Sequence, residues 1–118
     1  MRQVPADRAR QTQESISAEA LAAAIEDGSA PVILDVRSRA EFERGHVPGA
    51  LHIPFWRLSR RIASIPSPPD APLVVYCGHG PRAWMAGAIL RRRGFDRVRY
   101  LEGHMSGWNR ARLRQERG

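Results

Sequence analysis

The chain has 118 residues, 42% of them hydrophobic, with 19 arginines, no lysine, 12 acidic residues and a formal charge of +7. That length fits one core and is short for two ordinary domains. No stretch approaches the ~20 apolar residues of a membrane span, and a single cysteine excludes an internal disulfide.

The first residues, Met1 to Asp7, lack the apolar core of a secretory signal, so a reducing cytoplasm is the expected location. Four scattered histidines and one cysteine show none of the tight spacings of a metal site, and neither metal nor cofactor is expected. The arginines spread through helices and both tails, as on a solvated surface. Without aromatics interleaved among them, they do not read as a nucleic-acid platform.

Residues 1–14 are polar and without periodicity and read as a flexible tail, leaving 15–118 as one domain. Ser17 is placed to cap a helix beginning at Ala18, which Gly28 stops; Leu21, Ala24 and Ile25 share its apolar face. Pro31 opens a strand over 32–36. Ser38 and Glu41 have the spacing of a capping box, starting a short helix over 40–44. A turn-rich connection, Gly45 to Ala50, leads to a brief strand over 51–53 that Pro54 halts. Residues 55–64 read as an amphipathic helix, with Leu58, Ile62 and Ile65 at near-helical spacing.

Pro66, Pro68, Pro69 and Pro72 then bound Leu73–Tyr76, a β-branched and aromatic run that reads as a buried strand. A helix is expected over 82–93, closed by Gly94; the cluster Arg91-Arg92-Arg93 suits the dipole at its end. Val98–Leu101 is a further strand, and 105–115 a last helix carrying Trp108 and Leu113. Continuous apolar strands alternating with helices define one α/β domain with an open parallel sheet. Ligands bind such sheets beyond the carboxyl ends of the strands. Cys77 lies at one such end, and Asp35 with Arg37 at another.

Cys77-Gly78-His79-Gly80-Pro81-Arg82 is a glycine-bearing turn between a strand end and a helix start. There, successive backbone N–H groups and the helix dipole can converge on one anion. A thiol so placed ionises more easily, and the thiolate is a nucleophile. Pro81 has no N–H to give, and Arg82 adds a cation whose fork suits an oxyanion.

Three stretches in order resemble the rhodanese family of sulfurtransferases. They are Leu34-Asp35-Val36-Arg37 with Glu41-Phe42 and Gly45 to Ala50; Val75 to Ala83; and Leu101-Glu102-Gly103 with Trp108. The resemblance runs from about Ile16 to Trp108 and implies an open five-stranded parallel sheet flanked by helices on both faces. It also implies a ping-pong enzyme. In that chemistry the Cys77 thiolate takes the outer sulfur of a small anionic donor such as thiosulfate and releases sulfite. The persulfide then passes its sulfur to a thiophilic acceptor: cyanide, a thiol or an acceptor protein.

Gly78, His79, Gly80, Pro81 and Arg82 would form the substrate cradle, with Asp35 and Arg37 in support. For Asp35 and Arg37, ordering the site and capping a neighbouring loop remain open alternatives. For His79, the alternatives are a donor to substrate and an exposed side chain. Glu41 and His46 read as structural, and Trp84 and Met85 as core or rim packing. Many thiosulfate-using relatives place a basic residue directly after the cysteine. Gly78 stands there instead, as in mercaptopyruvate-using relatives, so the donor stays open.

Two rivals remain. A cysteine phosphatase or arsenate reductase also cradles an oxyanion over a thiolate, but the phosphatase loop separates cysteine from arginine by five residues, whereas four intervene here. A non-catalytic rhodanese-like interaction or sulfur-relay module is the other, and the presence of Cys77 weighs against it.

Overall fold

Leu73–Tyr76 (β4) is the middle strand of the sheet, and all four of its residues are buried. A computed structural model describes residues 15–118, so the tail expected over 1–14 lies outside the described residues. The remaining strands are Ser15–Ile16 (β1), Val32–Asp35 (β2), Leu51–His52 (β3) and Val98–Leu101 (β5). They form a five-stranded sheet in the order β1-β5-β4-β2-β3, every pair parallel. The helices are Ala18–Asp27 (α1), Arg39–Arg44 (α2), Leu58–Arg61 (α3), Pro81–Arg92 (α4) and His104–Arg110 (α5). None of these is long and apolar enough to cross a membrane.

Side chains alternate across a strand, and that alternation divides the core. Leu73, Val75 and Cys77 face one layer, with Leu34 and Val36 from the β2 side, Leu58 of α3, and Ala83, Ala86 and Leu90 of α4. Val74 and Tyr76 face the other, with Ile33, Ala18 and Leu21 of α1, and Met105 and Trp108 of α5. Burying each large aliphatic side chain is worth about 1.5–3 kcal/mol, so two-sided burial of β4 anchors the sheet. Both faces are covered by helices, as an all-parallel sheet requires.

The register aligns Asp35 with Tyr76 and Val75 with Tyr100, so β2, β4 and β5 end at one edge. Three helices start there: α2 after β2, α4 after β4, and α5 after β5. That shared edge brings together residues far apart in sequence.

Local signals place several boundaries. The Ser17 side chain accepts from the Ala20 N–H at 3.0 Å, and Gly28 ends α1 at φ 81°. Ser38 and Glu41 close a capping box at α2. α4 runs unbroken through Gly87, where a Cβ would collide with the Tyr100 ring of β5.

Three expectations are corrected, and β1 is an addition: its two residues carry no pattern of their own and are strand only through pairing with β5. Residues 55–64 are not one helix but a 3-10 turn (Phe55–Arg57), α3, and a second 3-10 turn (Ile62–Ser64). No side chain caps the start after Pro54, and the backbone flattens at Arg57 (φ −107°, ψ −3°) and Arg61 (φ −108°, ψ 14°). The last helix stops at Arg110 rather than Gln115. Arg112 turns to φ 56°, the Trp108 indole donates to the Arg114 carbonyl at 3.0 Å, and His46 bridges to Glu116, drawing the chain back over the domain. The site helix begins at Pro81, one residue earlier than read, with proline in its first turn, where its missing N–H costs nothing.

Candidate active site

Cys77 follows the last residue of β4, and strand alternation points its side chain into the layer beneath α4, where it is 0% exposed. Its Sγ accepts the Gly80 N–H at 3.0 Å. That bond closes a turn which only glycine fits comfortably, because Gly80 holds φ 140°, a region essentially confined to glycine. Pro81 then sets the first turn of α4, and the Gly80 carbonyl accepts the Trp84 N–H at 3.0 Å. The sulfur thus sits at the N-terminal end of a twelve-residue helix, where a developing anion is favoured.

The start of α5 clamps the other side of the turn. Met105 N–H donates to the Cys77 carbonyl at 2.9 Å, and Ser106 N–H to the Gly78 carbonyl at 3.2 Å. The Cys77 N–H donates to His104 Nδ1 at 3.3 Å, which assigns the histidine proton to Nε2. Burial, with the nearby His79 second, lowers the His104 pKa and keeps the ring neutral, the state able to accept that bond. His104 pays for this placement with a positive φ of 53°.

Arg82 reaches across to α2. Its Nη1 donates to Glu41 Oε1 at 2.7 Å and its Nη2 to Oε2 at 3.1 Å. Glu41 Oε1 also accepts from the Ser38 N–H and hydroxyl, at 3.0 and 2.9 Å. The Arg82 hydrogen bonds first, and those of Ser38 after them, outweigh partial burial and lower the Glu41 carboxyl to about 2. Gly78 passes close over this pair: a Cβ there would lie 3.1 Å from Arg82 Nη2. The capping-box glutamate of one helix therefore also anchors the arginine of the cysteine loop.

Asp35 and Arg37 close on each other rather than on the loop. Arg37 Nη2 meets Asp35 Oδ2 at 2.8 Å and the Gly45 carbonyl at 2.7 Å, and the Arg37 N–H donates to Asp35 Oδ1 at 2.9 Å. The guanidinium also lies 5.7 Å from the Tyr76 ring centroid. Burial, then Asp35, pushes the Tyr76 phenol upward, so its hydroxyl stays neutral and accepts the Val47 N–H at 3.1 Å. This pair orders the connection after α2. His46 stacks on Phe42 at 3.7 Å between centroids, with its Nδ1 2.8 Å from the Phe42 carbonyl.

The structure thus gathers Cys77, Gly78, Gly80, Pro81 and Arg82 in one turn. It leaves His79 exposed at the tip and Asp35 with Arg37 one strand away. The Arg82 fork, read as free for an oxyanion, is occupied by Glu41. Trp84 and Met85 are not core: they are 70% and 48% exposed, because Ala83, Ala86, Gly87 and Leu90 take the inward face of α4. Sequence reading passed over His104 and the Glu41–Arg82 link. The signal for His104 was its position directly after Gly103 in the closing stretch.

A parallel sheet with a lone cysteine turn at its carboxyl edge, braced by α2 and α5, defines a rhodanese-type domain. The model of the Rhodanese-like domain family matches residues 17–111, and the chain belongs to that family. A sulfurtransferase of Allochromatium vinosum is 34% identical over 95 residues, covering 80% of this chain and 87% of that protein. The thiosulfate sulfurtransferase GlpE of Shewanella oneidensis is 37% identical over 79 residues, covering 67% of this chain and 76% of its own. Among solved structures, the Alr3790 protein from Anabaena superposes with a TM-score of 0.78 at 28% identity, covering 87% of this chain and 82% of that one.

Proposed function

We propose that the protein is a sulfurtransferase carrying a sulfane sulfur on Cys77. The observation that supports this most is the Gly80 N–H aimed at Cys77 Sγ from 3.0 Å at the start of α4. In the first half-reaction the thiolate attacks the outer sulfur of thiosulfate. The donor S–S bond breaks, its electron pair leaves with sulfite, and a persulfide forms. In the second, a thiophilic acceptor attacks the terminal sulfur, the new S–S bond breaks, and the thiolate is restored. No net oxidant is needed, and one difficult transfer becomes two easier ones.

The chain's own groups have distinct tasks in this scheme. Gly80 N–H and the helix dipole hold negative charge on sulfur. Arg82, held by Glu41, fixes the loop and contributes positive field. His104 and the first amides of α5 hold the strand end and so fix the position of the sulfur. Because Cys77 is buried, the Gly78–Gly80 segment must shift to admit a donor. A mercaptopyruvate-type donor fits the same scheme with a different bond broken. The thiolate attacks its sulfur, the C–S bond breaks, and the electron pair leaves as the pyruvate enolate, which takes up the donor's thiol proton to become pyruvate. A reducing cytoplasm suits a carrier that must return to the thiol form.

Thiosulfate–cyanide turnover tests this reading. Native protein should form thiocyanate, and Cys77→Ser, which alters a small part of the core, should fold normally and form none. Equal turnover by the two would remove Cys77 from the mechanism.

A further inference from the structure

Among the described residues, three large apolar side chains are exposed: Trp56, Trp84 and Met85, at 57%, 70% and 48%. They are not scattered. Trp84 and Met85 lie in the first two turns of α4, directly after the cysteine turn, and Trp56 lies on the 3-10 turn that packs against α4. Phe55 fixes that turn by packing on the core cluster of Ala83 and Ala86 and meeting Trp56 edge-on at 5.5 Å. Arg93 Nη2 ties the far end of α4 to the Ser59 carbonyl at 3.2 Å, holding the two elements as one surface.

The charge of this surface is one-sided. Residues 55–64 and 81–93 hold seven arginines and no acidic residue, so the whole formal excess of +7 resides in them; the rest of the chain has as many acidic residues as arginines. Arg82 is paired with Glu41, and Arg91 lies over the Tyr100 ring at 5.5 Å. Arg57, Arg60 and Arg61 line one concavity, all exposed, and among the described residues none has an ion-pair partner. Such a patch satisfies itself neither in charge nor in apolar area.

We infer that this face, Trp56, Trp84 and Met85 with Arg57, Arg60 and Arg61, docks a protein partner whose own face is acidic around an apolar centre. Complementary charge steers such a partner to the loop, and the aromatic and thioether side chains supply the buried anchors. A single-stranded nucleic acid would answer the arginines and stack on the tryptophans, but it offers no apolar counterpart for Met85. Assigning the partner as the thiol that takes sulfur from Cys77 rests on the proposed function; the docking face itself does not.

The probe is a synthetic helical peptide presenting glutamates and leucines on one face, without cysteine, beside a counterpart with lysine for every glutamate. Binding is read from tryptophan emission, to which Trp56 and Trp84 are exposed reporters while Trp108 is 1% exposed. The acidic peptide should saturate, lose affinity as salt rises, and bind at least about tenfold more weakly to the Arg57→Glu, Arg60→Glu, Arg61→Glu triple variant. Trp84→Ala should weaken it independently, and thiosulfate–cyanide turnover of the triple variant should be unchanged. Equal affinity for both peptides, no binding of either, or tighter binding of polyuridylate than of the acidic peptide overturns the inference. Acidic-peptide binding by a protein that takes no sulfur from thiosulfate would retain the docking face and remove the proposed function. Turnover without binding would do the reverse.

Discussion

Arg82 and Glu41, 41 residues apart, share a two-point ion pair, 2.7 Å from Nη1 to Oε1 and 3.1 Å from Nη2 to Oε2. Planar bidentate pairing fixes direction as well as distance. It sets the position of α4, and with it the cysteine turn, relative to α2. Lysine could keep the charge at position 82 but not the fork. Arg82→Lys should therefore fold, yet lose about tenfold or more in turnover, as expected when an organised charge site loosens. Turnover like that of the native protein would show that charge alone suffices.

The same pair gives a pH signature. Glu41 is lowered to about 2 from an ordinary 4.5, chiefly by Arg82. Its folded pKa lies below its unfolded one, so its stabilisation is complete above about pH 4.5 and is lost as pH falls toward 2. The pair is partly solvated, so its worth is modest. Glu41→Gln should cost on the order of 1 kcal/mol at neutral pH and nothing at the acid end. Urea denaturation across that range measures the difference; a deficit that persists at the acid end contradicts the assignment.

His104 gives a second, separate window. Burial lowers its pKa from 6.5, so its contribution is complete above that value and declines as pH falls through the lowered folded one. Protonation would remove the acceptor for the Cys77 N–H. His104→Leu leaves that buried amide without a partner, at about 1–3 kcal/mol. The diagnostic readout is the pH profile of stability, from which the component just below pH 6.5 should vanish in the variant. An unchanged profile would place that component elsewhere.

At Gly80, φ 140° excludes an ordinary side chain, and a Cβ would lie 3.5 Å from His104 Nε2. Gly80→Ala should destabilise by about 1–3 kcal/mol, and the displaced N–H should reduce turnover further than stability. Gly87→Ala is its control: the collision with Tyr100 should cost about 1–3 kcal/mol while leaving turnover per folded molecule unchanged. Paired unfolding and rate measurements on the two variants separate loop geometry from helix packing.

The strand–turn–helix unit around Cys77 was legible because every signal in it is local: prolines before β4, an apolar run, two glycines, and proline at the helix start. Ser17 and the Ser38–Glu41 box were legible for the same reason. What escaped depends on partners distant in sequence. Ser15–Ile16 is a strand only because β5 lies beside it. Helix α5 ends early because the Trp108 indole and the His46–Glu116 bridge reclaim the chain. The Arg82 fork looked available because nothing near it in sequence announces Glu41. His104 and the exposure of Trp84 likewise follow from how helices meet at the carboxyl edge, not from their neighbours in the chain.

Intact-protein mass spectrometry after incubation with thiosulfate reads out whether Cys77 carries sulfur. The native chain should gain the mass of one sulfur atom, located on Cys77 by fragmentation, lose it to a thiol reductant, and convert cyanide to thiocyanate while losing it. Cys77→Ser should gain nothing. An adduct formed only with mercaptopyruvate would keep the carrier and change its donor; no adduct from either donor would mean that Cys77 carries no sulfur.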